Sequence, residues 1–236
     1  RLGGGDLRIQ AILIAFCFGG LLEALAGFGA PVAITATMIL ALGVKPLKAA
    51  ITVLLANTAP VAFGAVAVPI TTAADVGGKD AHVIATIVGH QAPFLAMLVP
   101  LILLVILDGM KGLKDAWLPA LVIGVSFAIA QWVTAATPAY NLTDVVACIV
   151  SMGVAVVFLQ FWKPRGVAGV RERYGLPAQS EEKEALPAVR VWMALLPYVI
   201  VVAIFGIANL HAGLKAWLKS FVIKIDIQAL SSRLVT

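Results

Sequence analysis

Charge is the scarcest property of this chain: of 236 residues only 12% are Asp, Glu, Lys or Arg, against about a quarter in soluble domains, while 61% are apolar. Together with a mean hydropathy of +1.03, that shortage excludes an ordinary soluble domain and makes the bilayer the expected solvent. Cysteine is nearly missing as well. Cys17 and Cys148 both lie inside apolar runs, so neither a disulfide framework nor a metal-ligand spacing arises. There is no His-Glu-x-x-His, no Gly-x-Ser-x-Gly and no Gly-x-x-x-x-Gly-Lys, which argues against an enzyme and calls for no cofactor. The net charge of +5 comes without a basic stripe interleaved with aromatics, so nucleic acid is not an expected partner.

What is present is apolar sequence in runs of bilayer length. A helix crosses about 30 Å of hydrocarbon with about 20 apolar residues. The runs are solid rather than alternating, which favours helices over a barrel. The first, 9–44, would be about 54 Å long as one helix. It is therefore expected to break at Gly27-Phe28-Gly29-Ala30-Pro31, into helices 9–26 and 31–43. The second, 47–74, is interrupted by Asn57-Thr58-Ala59-Pro60, with Gly64 and Pro69 beyond, and both breaks contain Ala-Pro-Val-Ala. Paired interrupted segments point to a transporter binding site. The expected fold is thus all-α: a polytopic transmembrane helical bundle with discontinuous helices, one part of an inverted-repeat transporter.

Further spans are expected at 82–107, 116–137, 142–162 and 191–209. Residues 1–209 then form a partial transport domain, and its polar stretch at 163–190 reads as a solvated cytoplasmic loop. Residues 210–236 place Leu214, Trp217, Leu218, Phe221, Val222 and Ile225 on one helical face, the pattern of an amphipathic interfacial tail. The alternation at 222–227 leaves a short extended piece open. The chain starts without Met or a signal peptide and reads as a piece of something longer. Ten of the seventeen Lys and Arg fall in the loops at 45–48, 111–114 and 163–190, which marks that side as cytoplasmic. The count leaves open whether the first run crosses or re-enters.

Glu23 is the first candidate for chemistry. Its helical face carries Gly19, Gly20, Ala26 and Gly27, so it is nearly bare of side chains and suits packing or a cavity rather than lipid. An intramembrane carboxylate of this kind is a proton or cation site, or a structural group bonded between helices. Pro31 is placed to start a half-helix whose free N–H groups, near Gly29 and Ala30, attract an anion. Asn57 and Thr58 are expected to cap a second half-helix beside Pro60 and to offer polar groups to a ligand. A Gly/Pro kink that allows close packing is the alternative for each break. His90, with Gln91 beside it, is a titratable group inside a span or a satisfied interhelical histidine. Gln131 and Gln160 read as packing hydrogen bonds.

At Leu22-Glu23-Ala24, at Ala26-Gly27-Phe28-Gly29-Ala30-Pro31-Val32-Ala33-Ile34-Thr35 and at Asn57-Thr58-Ala59-Pro60-Val61-Ala62-Phe63-Gly64-Ala65, the sequence resembles the bacterial L-lactate permease family. The similarity extends through Lys45-Pro46-Leu47, Asp108-Gly109 and 126–131, covering most of 9–135. The resemblance implies a multi-pass carrier of the bacterial cytoplasmic (inner) membrane. Such a carrier imports L-lactate and related short 2-hydroxy monocarboxylates such as glycolate with a proton. Residues and resemblance together make Glu23 and His90 the expected proton-coupling groups. Gly27, Gly29, Ala30, Pro31, Asn57, Thr58, Pro60 and Gln91 are the expected substrate contacts. Family members are considerably longer, so an internal fragment is expected, and where an Arg is expected before the Pro-Phe pair this chain has His90-Gln91-Ala92-Pro93-Phe94. Sodium coupling, a passive channel or non-transporting membrane subunit, and a homo-oligomer stay open.

Overall fold

The computed structural model describes residues 5–27, 29–162 and 166–175, together with Leu196, Ile200 and Gly213 as single helical positions. The chain divides into two units, Arg1–Leu195 and Leu196–Thr236, and the fold below is that of the first. Apart from those single positions, the expected span at 191–209 and the tail at 210–236 lie outside the described residues, as does Phe28.

Among the described residues every regular element is a helix. Asp6 caps the first, its carboxylate accepting from the Arg8 amide at 2.8 Å. Helix α1 (Leu7–Ile12) continues through a π-helical turn, Leu13–Phe18, into α2 (Gly19–Ala26). The chain then breaks because Gly27 (φ 74, ψ −174) and Gly29 (φ 110, ψ −65) take backbone conformations open to glycine. Helix α3 (Ala30–Ala41) starts with Pro31 in its first turn, and α4 (Pro46–Ala56) starts with Pro46, where a missing N–H costs nothing. The later elements are α5 (Gly64–Gly77), α6 (Ala81–Ala96), α7 (Val99–Ala135), α8 (Thr143–Phe161) and α9 (Val167–Arg173). Among the described residues three stretches are long and apolar enough to cross a membrane: Leu7–Ala26, Ala81–Ala135 and Tyr140–Phe161. The core lies along α7, where Leu103, Leu104 and Leu107 are fully buried and Phe127 meets Phe16 edge to face at 4.9 Å.

Three expectations need correction. The span at 82–107 is two helices, parted at Met97–Leu98, with Pro100 in the first turn of the second, where its missing N–H leaves no bond unmade. The loop expected between 107 and 116 is a kinked stretch of α7, with non-helical backbone at Gly109 (φ 65) and Ala116 (φ −136). Part of the polar stretch at 163–190 is helix α9, whose Val170 is fully buried, while the residues after 175 lie outside the described ones.

The charges explain why α9 docks. Arg8, 0% exposed, binds Asp6 Oδ2 at 2.7 Å, Asp108 Oδ2 at 3.1 Å and Asp115 Oδ2 at 3.3 Å. Arg173 donates to both oxygens of Asp108, at 2.8 and 2.6 Å. Those bonds hold its guanidinium above its ordinary proton affinity. Beside the Gly109 kink, the Leu107 carbonyl accepts from Lys48 Nζ at 3.1 Å and from the Tyr174 hydroxyl. Lys45, Lys48, Asp108, Arg173 and Tyr174 border one cavity of about 480 Å³. The three basic loops therefore meet at one end of the bundle. Arg8, at the start of the first run, binds Asp108, and Lys45, at its end, borders the same cavity as Asp108, so the two ends of the run lie at the same end of the bundle.

Candidate functional site

The glycine face of α2 is where the two breaks meet. Glu23, 3% exposed, sits in the last turn of α2. Its carboxyl lies over the first residue of α5: a Cβ on Gly64 would stand 3.2 Å from Oε1. A Cβ on Gly27 would be 3.2 Å from Ala65, and one on Gly20 would be 2.8 Å from Cys148 Sγ and 3.8 Å from Pro60. Bare positions on α2 thus let α5, α8 and the second break approach its backbone.

At the first break, no side chain caps α3, Gly29 is exposed and Pro31 is buried. Thr35 Oγ1 donates to the Pro31 carbonyl at 2.7 Å, steadying the first turn. The second break differs from expectation. Asn57 closes α4 rather than opening α5, and Thr58 Oγ1 turns back to the Leu55 carbonyl at 2.6 Å. Pro60 has no N–H with which to continue a helix, so the chain turns until Gly64, and α5 begins without a side-chain cap. It then passes through Ala65, Val66 and Ala67 in the left-handed region, with φ of 48, 58 and 60. Each such residue costs roughly 1–2 kcal/mol, and the conformation persists only where its surroundings enforce it. Phe63 and Ala67, both 0% exposed, supply that enforcement.

Asn57 is 4% exposed and lies beside Glu23, yet Glu23 Oε2 and Asn57 Nδ2 have no hydrogen-bond partner. Asp144 is a member that the sequence alone did not single out. It is 1% exposed in the first turn of α8 and accepts from Gln131 Nε2 at 2.8 Å. The Phe63 amide, from the second break, acts on it too, and Glu23 lies within electrostatic reach. Residues 131 and 144 flank the turn at 136–142, and the α7–α8 hairpin it makes brings them together. Behind them Cys17 Sγ lies 3.7 Å from Ser151 Oγ, which donates to the Ile123 carbonyl at 2.8 Å.

The structure does not bring His90 and Gln91 to this cluster. Both are exposed on α6. His90 Nδ1 lies 2.5 Å from the Thr86 carbonyl, and its ring stands edge-on to Trp132 at 6.1 Å, beside an apolar cavity of about 370 Å³ between α6 and α7. Among the described residues no three His, Cys, Asp or Glu side chains group as metal ligands.

Comparison with known proteins agrees with the residues at the breaks. Residues 4–234 match the model of a family described as L-lactate permease. An L-lactate permease of Bacillus subtilis (strain 168) is 41% identical over 218 residues, 89% of this chain and 39% of the relative. Glycolate permease GlcA of Escherichia coli (strain K12) is 49% identical over 160 residues, 68% of this chain and 29% of the relative. The L-lactate permease of the same strain is 45% identical over 159 residues, 67% of this chain and 29% of the relative. The chain thus spans 29–39% of the length of these relatives. No solved structure matches it. The chain belongs to the L-lactate permease family.

Proposed function

We propose that the protein containing this chain carries short 2-hydroxy monocarboxylates, L-lactate and glycolate foremost, across the bacterial cytoplasmic membrane together with a proton. Relatives named L-lactate permease and glycolate permease share this segment, and its apolar helices suit a bilayer. The observation that carries the reading is the meeting of the two broken segments around Glu23.

In this scheme the substrate carboxylate rests at the uncapped start of α3, against Gly27, Gly29, Ala30 and Pro31. About half an elementary charge of helix dipole and unbonded N–H groups favour an anion there. Asn57, Thr58 and Pro60 border the opposite side, and the Asn57 amide serves the 2-hydroxyl. Ionised Glu23 repels an incoming carboxylate and protonated Glu23 does not, so proton and substrate load together. His90 and Gln91 take no part. The end bearing Lys45, Lys48 and Arg173 faces the cytoplasm.

The test uses the full-length protein in proteoliposomes. A pH gradient, alkaline inside and free of sodium, should drive lactate accumulation, and external lactate should accelerate exchange, as it does for a carrier and not for a pore. Glu23→Gln should abolish accumulation. A requirement for sodium, or a Glu23→Gln protein that accumulates lactate like the unsubstituted one, overturns the coupling scheme.

A further inference from the structure

Asp144 has no role in that scheme, yet it is buried beside the break that Glu23 faces. The polar atoms around the two carboxylates do not balance. Asp144 Oδ2, Glu23 Oε2 and Gln131 Oε1 lack a donor within strict hydrogen-bond geometry and Asn57 Nδ2 lacks an acceptor, while the Asn57 amide faces Glu23 and the Phe63 amide faces Asp144. An ionised carboxylate only accepts, and a protonated one also donates. A proton delivered here therefore converts one of these acceptors into a donor. Among the described residues no Lys, Arg or His pairs with either carboxylate. Two buried carboxylates within reach of each other's charge do not both stay ionised cheaply.

The groups that face Asp144 come from each neighbouring element. Helix α2 brings Glu23, α7 brings Gln131, the second break brings the Phe63 amide, and Cys148 lies one turn along α8 with Cys17 near it. Asp144 stands in the first turn of α8, whose far end leads to α9 and the charged cluster. Like Glu23, at the far end of α2 from Arg8, it lies towards the end opposite the basic loops: Gly20 of α2 faces Cys148 of α8, and the two carboxylates follow one turn further in the same direction.

We infer that Asp144 and Glu23 form one proton relay, in which the transported proton passes between the Asp144 carboxyl and the Glu23 carboxylate, with Gln131 positioning Asp144. The proton lost by the Asp144 carboxyl is the one gained by the Glu23 carboxylate, so the pair holds one proton and one negative charge before and after transfer. This inference rests on the proton-coupled reading, and its test separates the two.

In proteoliposomes of the full-length protein, the readout is the ratio of pH-driven lactate accumulation to lactate exchange. Asp144→Asn should lower that ratio about tenfold or more, Asp144→Glu should restore most of it, and Gln131→Met should displace the pH midpoint of accumulation. If the unsubstituted protein shows no response to a pH gradient, the proton-coupled reading falls and the relay with it. If the unsubstituted protein is coupled and Asp144→Asn keeps its ratio within about twofold, only the relay falls. Where Asp144→Asn fails to fold, Gln131→Met decides, and an unmoved pH midpoint overturns the relay.

Discussion

Arg8 is 0% exposed and Glu23 3% exposed, and both are ionisable groups in apolar helices, yet their surroundings are built differently. Around Arg8 three carboxylates converge, and Asp108, the innermost partner from α7, is held again by Arg173. Around Glu23 the neighbours are glycine faces, an amide with an unused donor and a second carboxylate. A buried charge whose partners are present in the fold resists change, because removing one leaves another stranded. A buried carboxylate short of donors is instead suited to gaining and losing something the fold does not supply. The contrast separates the end of the bundle that fastens α1, α4, α7 and α9 together from the end where chemistry is expected.

The substitution that breaks this contrast most severely is Arg8→Met. It strands the buried Asp6 carboxylate, takes from Asp108 one of its two arginines, and should cost about 3–5 kcal/mol, read as lost folded yield and a lower thermal transition in detergent. Glu23→Gln, an isostere in the donor-poor cluster, should change the same transition by under about 1 kcal/mol; a loss as large as that of Arg8→Met would make both clusters structural. Next comes Gly64→Ala. Its Cβ would meet Glu23 Oε1 at 3.2 Å, so the Glu23 carboxyl must move aside, with an expected cost of about 1 kcal/mol and weaker pH-driven uptake. Ala65→Gly should act in the opposite sense. Glycine accepts φ 48 without penalty, so the protein should gain about 1 kcal/mol, seen as a raised melting temperature. The smallest effect belongs to Arg173→Ala. Its side chain is 40% exposed, so the pair with Asp108 should be worth about 0.5–1 kcal/mol and should weaken as salt is added.

Both breaks were readable because glycine and proline act on their own backbone: Gly27, Gly29, Pro31 and Pro60 interrupt helices whatever surrounds them. The bare face around Glu23 was readable for the same local reason. What lay opposite that face was not, because Gly64, Asn57 and Asp144 arrive from distant parts of the chain. Asp144 sits next to a turn and so resembled a loop acid; only the pairing of α7 with α8 turns it inward. Arg8 could not be matched to its partners from sequence because Asp108 and Asp115 are a hundred or more residues away. Helix α9 was hidden in a stretch whose composition is polar, and its docking depends on one buried valine and one arginine fork.

The turn at Ala65–Ala67 bears on any conformational change in which this segment unwinds. Three consecutive residues wound against their natural hand hold roughly 3–6 kcal/mol between them. Moving a two-state equilibrium from 1:99 to 99:1 takes about 5.5 kcal/mol. A segment with that much in reserve, lying directly against Gly27 and next to the residue beneath Glu23, can set which arrangement predominates without any change in the helices it joins.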